Sequence, residues 1–260
     1  MNDKNTPPTP ENTTDEAQLA EMRAALEAVE SRIAAACQQA GRERHEVTLL
    51  PVSKTVSVER MRLAWRLGLN YFGENKVQEA REKSEAMADL DIRWSVIGHL
   101  QTNKAKYVAR FAHEFQALDS LKVAEELDRR LQDEGRSMDV LVQVNSSAEP
   151  SKYGLPPEEV PAFVRRLPDF SALKVKGLMT LALFSPDQQL VGRCFERMQT
   201  LQKQLRENLP DGLSMDELSM GMSGDFELAI AHGATIVRVG TAIFGSRAQP
   251  DSYYWPGIKQ

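Results

Sequence analysis

The stretch LLPVSKTVS, residues 49–57, joins the end of an apolar run to a single lysine. The run begins at Val47 and is rich in residues that favour β-strands, and Lys54 follows it between Ser53 and Thr55. A lysine in this place has two interpretations. It is either the solvated end of a strand or an amine that a barrel scaffold presents for chemistry, and the pattern of the remaining chain bears on the choice.

Eight strand candidates, this one included, alternate with helical patterns along the chain. The helical segments repeat their apolar residues with a period near 3.6. The strand candidates are 47–52, 70–73, 93–97, 114–118, 138–144, 174–180, 215–220 and 235–239. The clearest helices are 57–68, 75–88, 120–134, 157–166, 187–208 and 222–232. This alternation over roughly 200 to 250 residues is typical of a single parallel (β/α)8 TIM barrel.

An open, doubly wound sheet is the alternative architecture. Sheets of that kind that bind dinucleotides carry a G-x-G-x-x-G motif after the first strand, and this chain has none there. We therefore predict one barrel domain over residues 16–260. A helix precedes the first strand, because apolar residues recur at helical spacing at Leu19, Met22, Leu26, Val29 and Ile33. Residues 1–15 are polar and are predicted to form a disordered tail.

The amino-acid composition limits which binding partners and which cellular compartment we expect for this protein. The net charge of -5 and the absence of a dense basic run argue against nucleic acid as a partner. No apolar run approaches the roughly 18 residues of a membrane helix, so a soluble, cytoplasmic protein is expected. The two cysteines, Cys37 and Cys194, lie far apart and fit a reducing compartment. The four histidines lack metal-ligand spacing, and we expect no metal.

In such barrels the chemistry lies on the loops that follow the strands, often with a phosphate site after strands seven and eight. Strand seven runs into MGMSGDFELAI, which contains Ser223 and Gly224, and strand eight runs into RVGTAIFG, which contains Gly240 and Thr241. Either segment alone is weak evidence, because serine and glycine are common helix caps. Two such loops facing Lys54 favour a phosphate site beside an amine. Pyridoxal 5'-phosphate (PLP) requires that combination, since it forms a Schiff base with lysine.

The ordered motifs resemble one family. They are PVSKT, FGENKVQEA, IGHLQTNK, LVQVNSSAEPSKYGL, VKGLMTLA and LSMGMSGDFELAIAHGATIVRVGTAIFGSR. Taken together, they are similar to the YggS/PROSC family of pyridoxal phosphate homeostasis proteins over about residues 17–247. The resemblance implies a single barrel like the N-terminal domain of alanine racemase. The sequence departs from the family pattern at Ser95, Tyr153 and Gly224.

The resemblance also implies a role for each site residue. Lys54 would carry PLP as an internal aldimine, Arg238 would face the pyridine nitrogen, and the remaining contacts would come from Ser223, Gly240 and Thr241 at the phosphate and from Asn75 and Met179 at the ring. A cation beside the ring nitrogen disfavours its protonation and makes the cofactor a poorer electron sink. The other interpretation of Arg238 is a solvated charge at the end of a strand.

An amino-acid racemase needs a second acid or base opposite the lysine, and the resemblance implies that alanine racemase takes it from an additional domain that this chain lacks. Tyr71, Tyr107 and His99 are better explained by packing or hydrogen bonding. We therefore expect a monomeric PLP-binding protein that stores, buffers or delivers the cofactor to PLP-dependent apo-enzymes. The alternative is a PLP-dependent racemase-type enzyme, and a third is a scaffold without cofactor.

Overall fold

The computed structural model describes residues 10–147, 149 and 153–245, with side chains from Asp15 onward. The strands are β1 Thr48–Pro51, β2 Tyr71–Glu74, β3 Arg93–Val96, β4 Glu114–Leu118, β5 Met138–Val144, β6 Leu173–Thr180, β7 Glu217–Ser219 and β8 Ile236–Val239. The helices are α1 Pro10–Gln39, α2 Val58–Arg66, α3 Val77–Ala86, α4 Ala105–Phe111, α5 Leu121–Asp133, α6 Val160–Val164, α7 Gln188–Glu207, α8 Phe226–Ala231 and α9 Thr241–Phe244. The predicted alternation is confirmed.

All strand pairs are parallel, and the sheet follows the order β1-β8-β7-β6-β5-β4-β3-β2. First and last strands pair directly, with Leu50 opposite Arg238. Fewer residues join β1 to β2. Directly after β1, Val52 bridges to Gly73, and the Ser53 amide donates to the Gly73 carbonyl at 3.0 Å. The sheet therefore closes into the predicted (β/α)8 barrel, and the carboxyl ends of all strands meet at one mouth.

The N-terminal helix covers the side of the barrel where α8 and α9 are short. Helix α1 packs against both of them, and its buried residues recur at helical spacing at Met22, Val29, Ile33, Ala36 and Cys37. The helix begins at Pro10, inside the segment predicted as a tail. Residues 1–9 lie outside the described residues, and the division into tail and barrel stays a prediction.

Each of the six predicted helices is shorter than the sequence pattern predicts, and the difference is largest for two of them. Helix α6 spans Val160–Val164 where 157–166 was predicted, because residues 157–159 form a turn after Pro156. Helix α8 begins at Phe226 where 222 was predicted, because residues 223–225 also form a turn. Helix α2 begins directly after the Lys54 segment, since the Ser57 hydroxyl caps it by accepting the Arg60 amide at 3.3 Å.

Acidic residues gather at the amino ends of the strands, opposite the mouth. Burial, with Glu114 and Asp139 nearby, raises the pKa of Glu217 to about 7, while Arg93 and Lys176 oppose the shift. Within the described part of the chain, Oε2 of Glu217 is buried and has no hydrogen-bond partner. The folded protein therefore holds this carboxyl more readily in its protonated form.

Replacing Glu217 by glutamine should stabilise the protein at alkaline pH. The protonated carboxyl of Glu217 makes its full contribution to the free energy of unfolding below the unfolded-state pKa of roughly 4.3. That contribution is lost as the pH rises through the pKa of the folded state. Partial exposure reduces the effect, so the variant should gain about 1 to 2 kcal/mol over the original chain between about pH 5 and about pH 8. Chemical denaturation at both pH values measures it. Glu82→Gln on the exposed face of α3 is the control, and equal responses of the two variants would contradict the assignment.

Candidate functional site

Lys54 lies at the mouth of the barrel, just beyond the end of β1. The residue is only 2% exposed. Just before it, the Val52 amide donates to the Val239 carbonyl at 2.9 Å and Val52 bridges to Gly73, so the chain leading to Lys54 is held between β8 and β2. A cavity of about 470 Å³ opens there. Five of the predicted site residues line it together: Lys54, Ser223, Arg238, Gly240 and Thr241.

The two other predicted residues lie apart from this lining. Met179 is fully buried in β6, where it pairs in register with Gln143 and Ser219, and Asn75 is half-buried directly after β2. Neither is among the described residues that line the cavity. Their predicted contact with the ring stays a prediction.

The Asn75 loop is nevertheless fixed beside the mouth by one close approach. A Cβ atom on Gly98, in the loop after β3, would lie 2.0 Å from the Asn75 carbonyl oxygen. Only glycine allows the two backbones to approach so closely. The loops after β2 and β3 are thus packed directly against each other.

The loop after β7 turns sharply into the cavity. Gly221 has a φ of 94°, and a Cβ atom there would lie 2.7 Å from the Ala229 Cβ, so both conformation and space require glycine. The Asp225 carboxylate accepts the Met222 amide at 2.6 Å and closes the turn. No hydrogen bond from the Ser223 or Gly224 amides is formed with any described residue. These amides lie in a turn before α8, and the predicted helix start at 222 is four residues too early.

The loop after β8 contains the other two residues that were predicted to contact a phosphate. Gly240 is the N-terminal cap of α9, and Thr241 is its first residue. Both line the cavity beside Ser223 and Gly224. Burial raises the pKa of Asp225, against the opposing effects of the Met222 amide and Arg238. The backbone amides of these two loops and the hydroxyls of Ser223 and Thr241 therefore lie near one cation, Arg238, and one carboxyl group, that of Asp225.

Arg238 is buried, so its interpretation as a solvated strand end is wrong. Its side chain donates to the Ser219 hydroxyl at 2.7 Å and to the Thr180 carbonyl at 2.6 Å. Burial lowers its pKa to about 10, and Asp225 opposes this shift. The guanidinium is still charged at neutral pH. Both of these hydrogen bonds go to neutral oxygen atoms.

A chain of oriented hydrogen bonds leads from Arg238 into the barrel. Ser219 donates to Gln116 Oε1 at 2.6 Å, and Gln116 Nε2 donates to Glu114 Oε2 at 2.6 Å. Ser95, one of the departures from the family pattern, donates to the same Glu114 oxygen at 2.6 Å. Each donor points away from the cation and towards the anion. The buried positive and negative charges are therefore connected through two neutral side chains.

None of the three candidate racemase side chains lines the cavity within the described residues. Tyr71 begins β2 at the opposite end of the barrel and donates to Glu114, while burial and then Glu114 raise its pKa. Tyr107 lies on α4 beneath the side chains of Arg81 and Lys106. His99 stacks on Tyr153 with ring centres 4.2 Å apart.

Sequence reasoning missed the charged residues that lie behind Lys54. The fully buried Glu74 accepts from Lys83 Nζ and from the Ser53 hydroxyl, each at 2.7 Å. Burial raises the pKa of Glu74 to about 7, against the opposing charge of Lys83. Glu74 lies in an ordinary strand pattern and Lys83 in an ordinary helix pattern, and neither pattern indicates that the two side chains meet. By contrast, the alternation of Glu114 and Gln116 in EFQAL was a readable sign of a polar barrel interior.

The family model of the alanine racemase N-terminal domain matches residues 24–248. The chain belongs to this family. A member named pyridoxal phosphate homeostasis protein from Aquifex aeolicus is 40% identical over 222 residues, covering 85% of this chain and 96% of the relative. Its namesake from Pseudomonas aeruginosa is 40% identical over 220 residues, covering 84% and 93%. The resemblance to the homeostasis proteins is confirmed.

A solved structure of PipY from Synechococcus elongatus with PLP bound is similar throughout. It superimposes with a TM-score of 0.77 at 33% identity and covers 86% of this chain and 100% of PipY. In this family member, none of the helices within the described ranges is long and apolar enough to cross a membrane. Over the same ranges, no group of three or more His, Cys, Asp or Glu side chains is arranged to hold a metal ion.

Replacing Gln116 by leucine should break the hydrogen-bond chain between Arg238 and Glu114. Two buried polar groups, the Ser219 hydroxyl and the Glu114 carboxylate, would each lose a partner, so the free energy of unfolding should fall by about 2 to 4 kcal/mol. Urea denaturation measures the loss. Gln78→Leu on the exposed face of α3 is the matched control. If Gln116→Leu lowers the free energy of unfolding no more than this control does, the hydrogen-bond chain does not contribute to stability as predicted.

Proposed function

We propose that this protein binds PLP in the cavity at the barrel mouth and serves its homeostasis by storing, buffering or delivering it. The observation that carries the proposal is the convergence of the buried Lys54 with Ser223, Gly240 and Thr241 on one cavity. An amine able to bond the aldehyde and a set of phosphate donors are the two groups that the cofactor requires. The cavity volume of about 470 Å³ is also suitable for a small cofactor.

The residues fit the cofactor in charge as well as in volume. Lys54 would bond its aldehyde, while the amides of the loops after β7 and β8 and the Thr241 hydroxyl would hold the phosphate. Arg238 would face the ring nitrogen and keep it unprotonated, because a nearby cation disfavours the positive form. Asn75 and Met179 would support the ring from the loop after β2 and from β6. The homeostasis relatives and PLP-bound PipY support this assignment.

The lining favours binding over turnover. Among the described residues that line the cavity there is no tyrosine, histidine or cysteine. The only carboxyl group among them, that of Asp225, already accepts a hydrogen bond from the Met222 amide. A racemase would need a second proton donor opposite Lys54. We therefore propose a non-catalytic, monomeric and cytoplasmic protein whose partners are PLP-dependent apo-enzymes. Steady racemisation of alanine by the pure protein would instead establish the alternative function.

The purified protein loaded with PLP should absorb as a Schiff base, and borohydride should attach the pyridoxyl group to Lys54. Among the described residues, Lys54 is the one lysine that lines the cavity, so its amine is placed to bond the aldehyde. Mass spectrometry of the digested protein locates the modification. Lys54→Ala should remain unmodified. Attachment to Lys104 or Lys106 would overturn the assignment.

The phosphate should be the main anchor, so Ser223→Asp and Gly240→Glu should weaken the binding of PLP. A carboxylate in either loop repels the phosphate and competes for its donors. The loss of one charge-assisted hydrogen bond costs about 1.5 to 3 kcal/mol, or roughly ten- to a hundred-fold in affinity. Absorbance titration measures it.

Unphosphorylated pyridoxal is the control ligand for these variants. It retains the aldehyde but lacks the anchor, so its weak affinity should be nearly unchanged. If PLP and pyridoxal lose affinity equally, or if neither loses any, the two loops do not hold the phosphate.

A further inference from the structure

The backbone on both sides of Lys54 is held by side chains from β2 and α3. On the amino side, the Ser53 hydroxyl donates to Glu74 at 2.7 Å and the Ser53 carbonyl accepts from Lys83 at 2.6 Å. On the carboxyl side, the Thr55 amide donates to Glu79 Oε1 at 2.6 Å. Lys54 is thus the residue between two anchored neighbours.

One ammonium group joins the two sides of this arrangement. Lys83 Nζ donates to Glu74 and to Glu79, each at 2.7 Å, in addition to the Ser53 carbonyl. The side chain of Lys83 is 7% exposed, that of Glu74 is fully buried and that of Glu79 is 25% exposed. Such a buried cation with three acceptors has its donors satisfied and a fixed position.

The backbone at Thr55 shows why the anchoring is needed. Its φ of 65° is the only positive value among the described non-glycine residues. A β-branched residue is strained in this conformation and keeps it only where its surroundings enforce it. The bond from the Thr55 amide to Glu79 is a direct constraint on that conformation.

We propose that Glu74, Glu79 and Lys83 are positioning residues for Lys54, which hold the strained Lys54–Thr55 turn and thereby keep the lysine amine aimed into the cavity. They act through the backbone and do not line the cavity within the described residues. The inference rests on the proposed role of Lys54 in bonding the PLP aldehyde. It adds that the bond forms at a pre-set position, so that little further ordering is required when the cofactor enters.

Glu79 is the residue to change, because it is partly exposed and the fold depends on it less than on the buried pair. Glu79→Ala removes the acceptor of the Thr55 amide. In the cofactor-free protein, hydrogen exchange at that amide should accelerate at least about tenfold. Formation of the Schiff-base absorbance on mixing with PLP should slow by roughly ten- to a hundred-fold, since displacement of a reacting group by about 1 Å has effects of that size.

Two variants on the same helix provide the comparison. Glu79→Gln keeps an oxygen that accepts the Thr55 amide, so it should restore most of the slow exchange and most of the reaction rate. Glu82→Ala removes a carboxylate from the exposed face of α3, where it contacts Gln78, and should behave as the original chain does.

Binding of pyridoxine 5'-phosphate separates positioning from general damage. This analogue has the ring and phosphate but no aldehyde, so Glu79→Ala should bind it as tightly as the original chain. If Glu79→Ala loses affinity for the analogue as much as for PLP, or if both exchange and reaction rate are unchanged, the positioning role is refuted. If the original chain itself forms no bond through Lys54, the proposed function fails instead.

Discussion

The parallel pairing of β1 with β8 is the contact on which the site depends. It places Leu50 opposite Arg238, and a backbone hydrogen bond from the Val52 amide to the Val239 carbonyl continues the pairing up to the mouth. The lysine loop and the proposed phosphate loop therefore lie side by side although almost the whole folded chain separates them. Without this closure, neither the cavity nor the burial of Lys54 would exist.

The closed barrel must then accommodate buried charge on both sides of the cavity. Arg238 is linked by oriented hydrogen bonds to Glu114, and Lys83 is paired directly with Glu74. A buried ion is costly unless its hydrogen bonds are satisfied, so each arrangement is rigid for an energetic reason. The proposed cofactor would meet side chains whose positions are already set, which suits a protein that binds and releases it.

The fold and the positions of Lys54, Ser223, Gly240 and Thr241 were predictable because they depend on local patterns, whereas the lining residues after β6, such as Phe184 and Pro186, were not predicted. Alternating strands and helices predict the barrel, and the barrel places residues that follow β1, β7 and β8 at one mouth. The Glu74–Lys83 contact was not predictable, since it joins a strand end to a helix face and needs the exact separation of the two. The predicted start of α8 was wrong for a related reason. The hydrogen bond between the Met222 amide and Asp225 holds a turn in place of the first helical turn, and the spacing of apolar residues does not reveal such a turn.

We propose that one cavity holds both the amine and the phosphate of a PLP site. A crystal structure of the protein grown with PLP tests it most directly. We expect continuous density from Lys54 Nζ to the cofactor, with phosphate oxygens within hydrogen-bond distance of the Ser223 and Thr241 amides and with Arg238 at the ring nitrogen. Cofactor density that is separate from Lys54, or a phosphate bound away from the loops after β7 and β8, would contradict it.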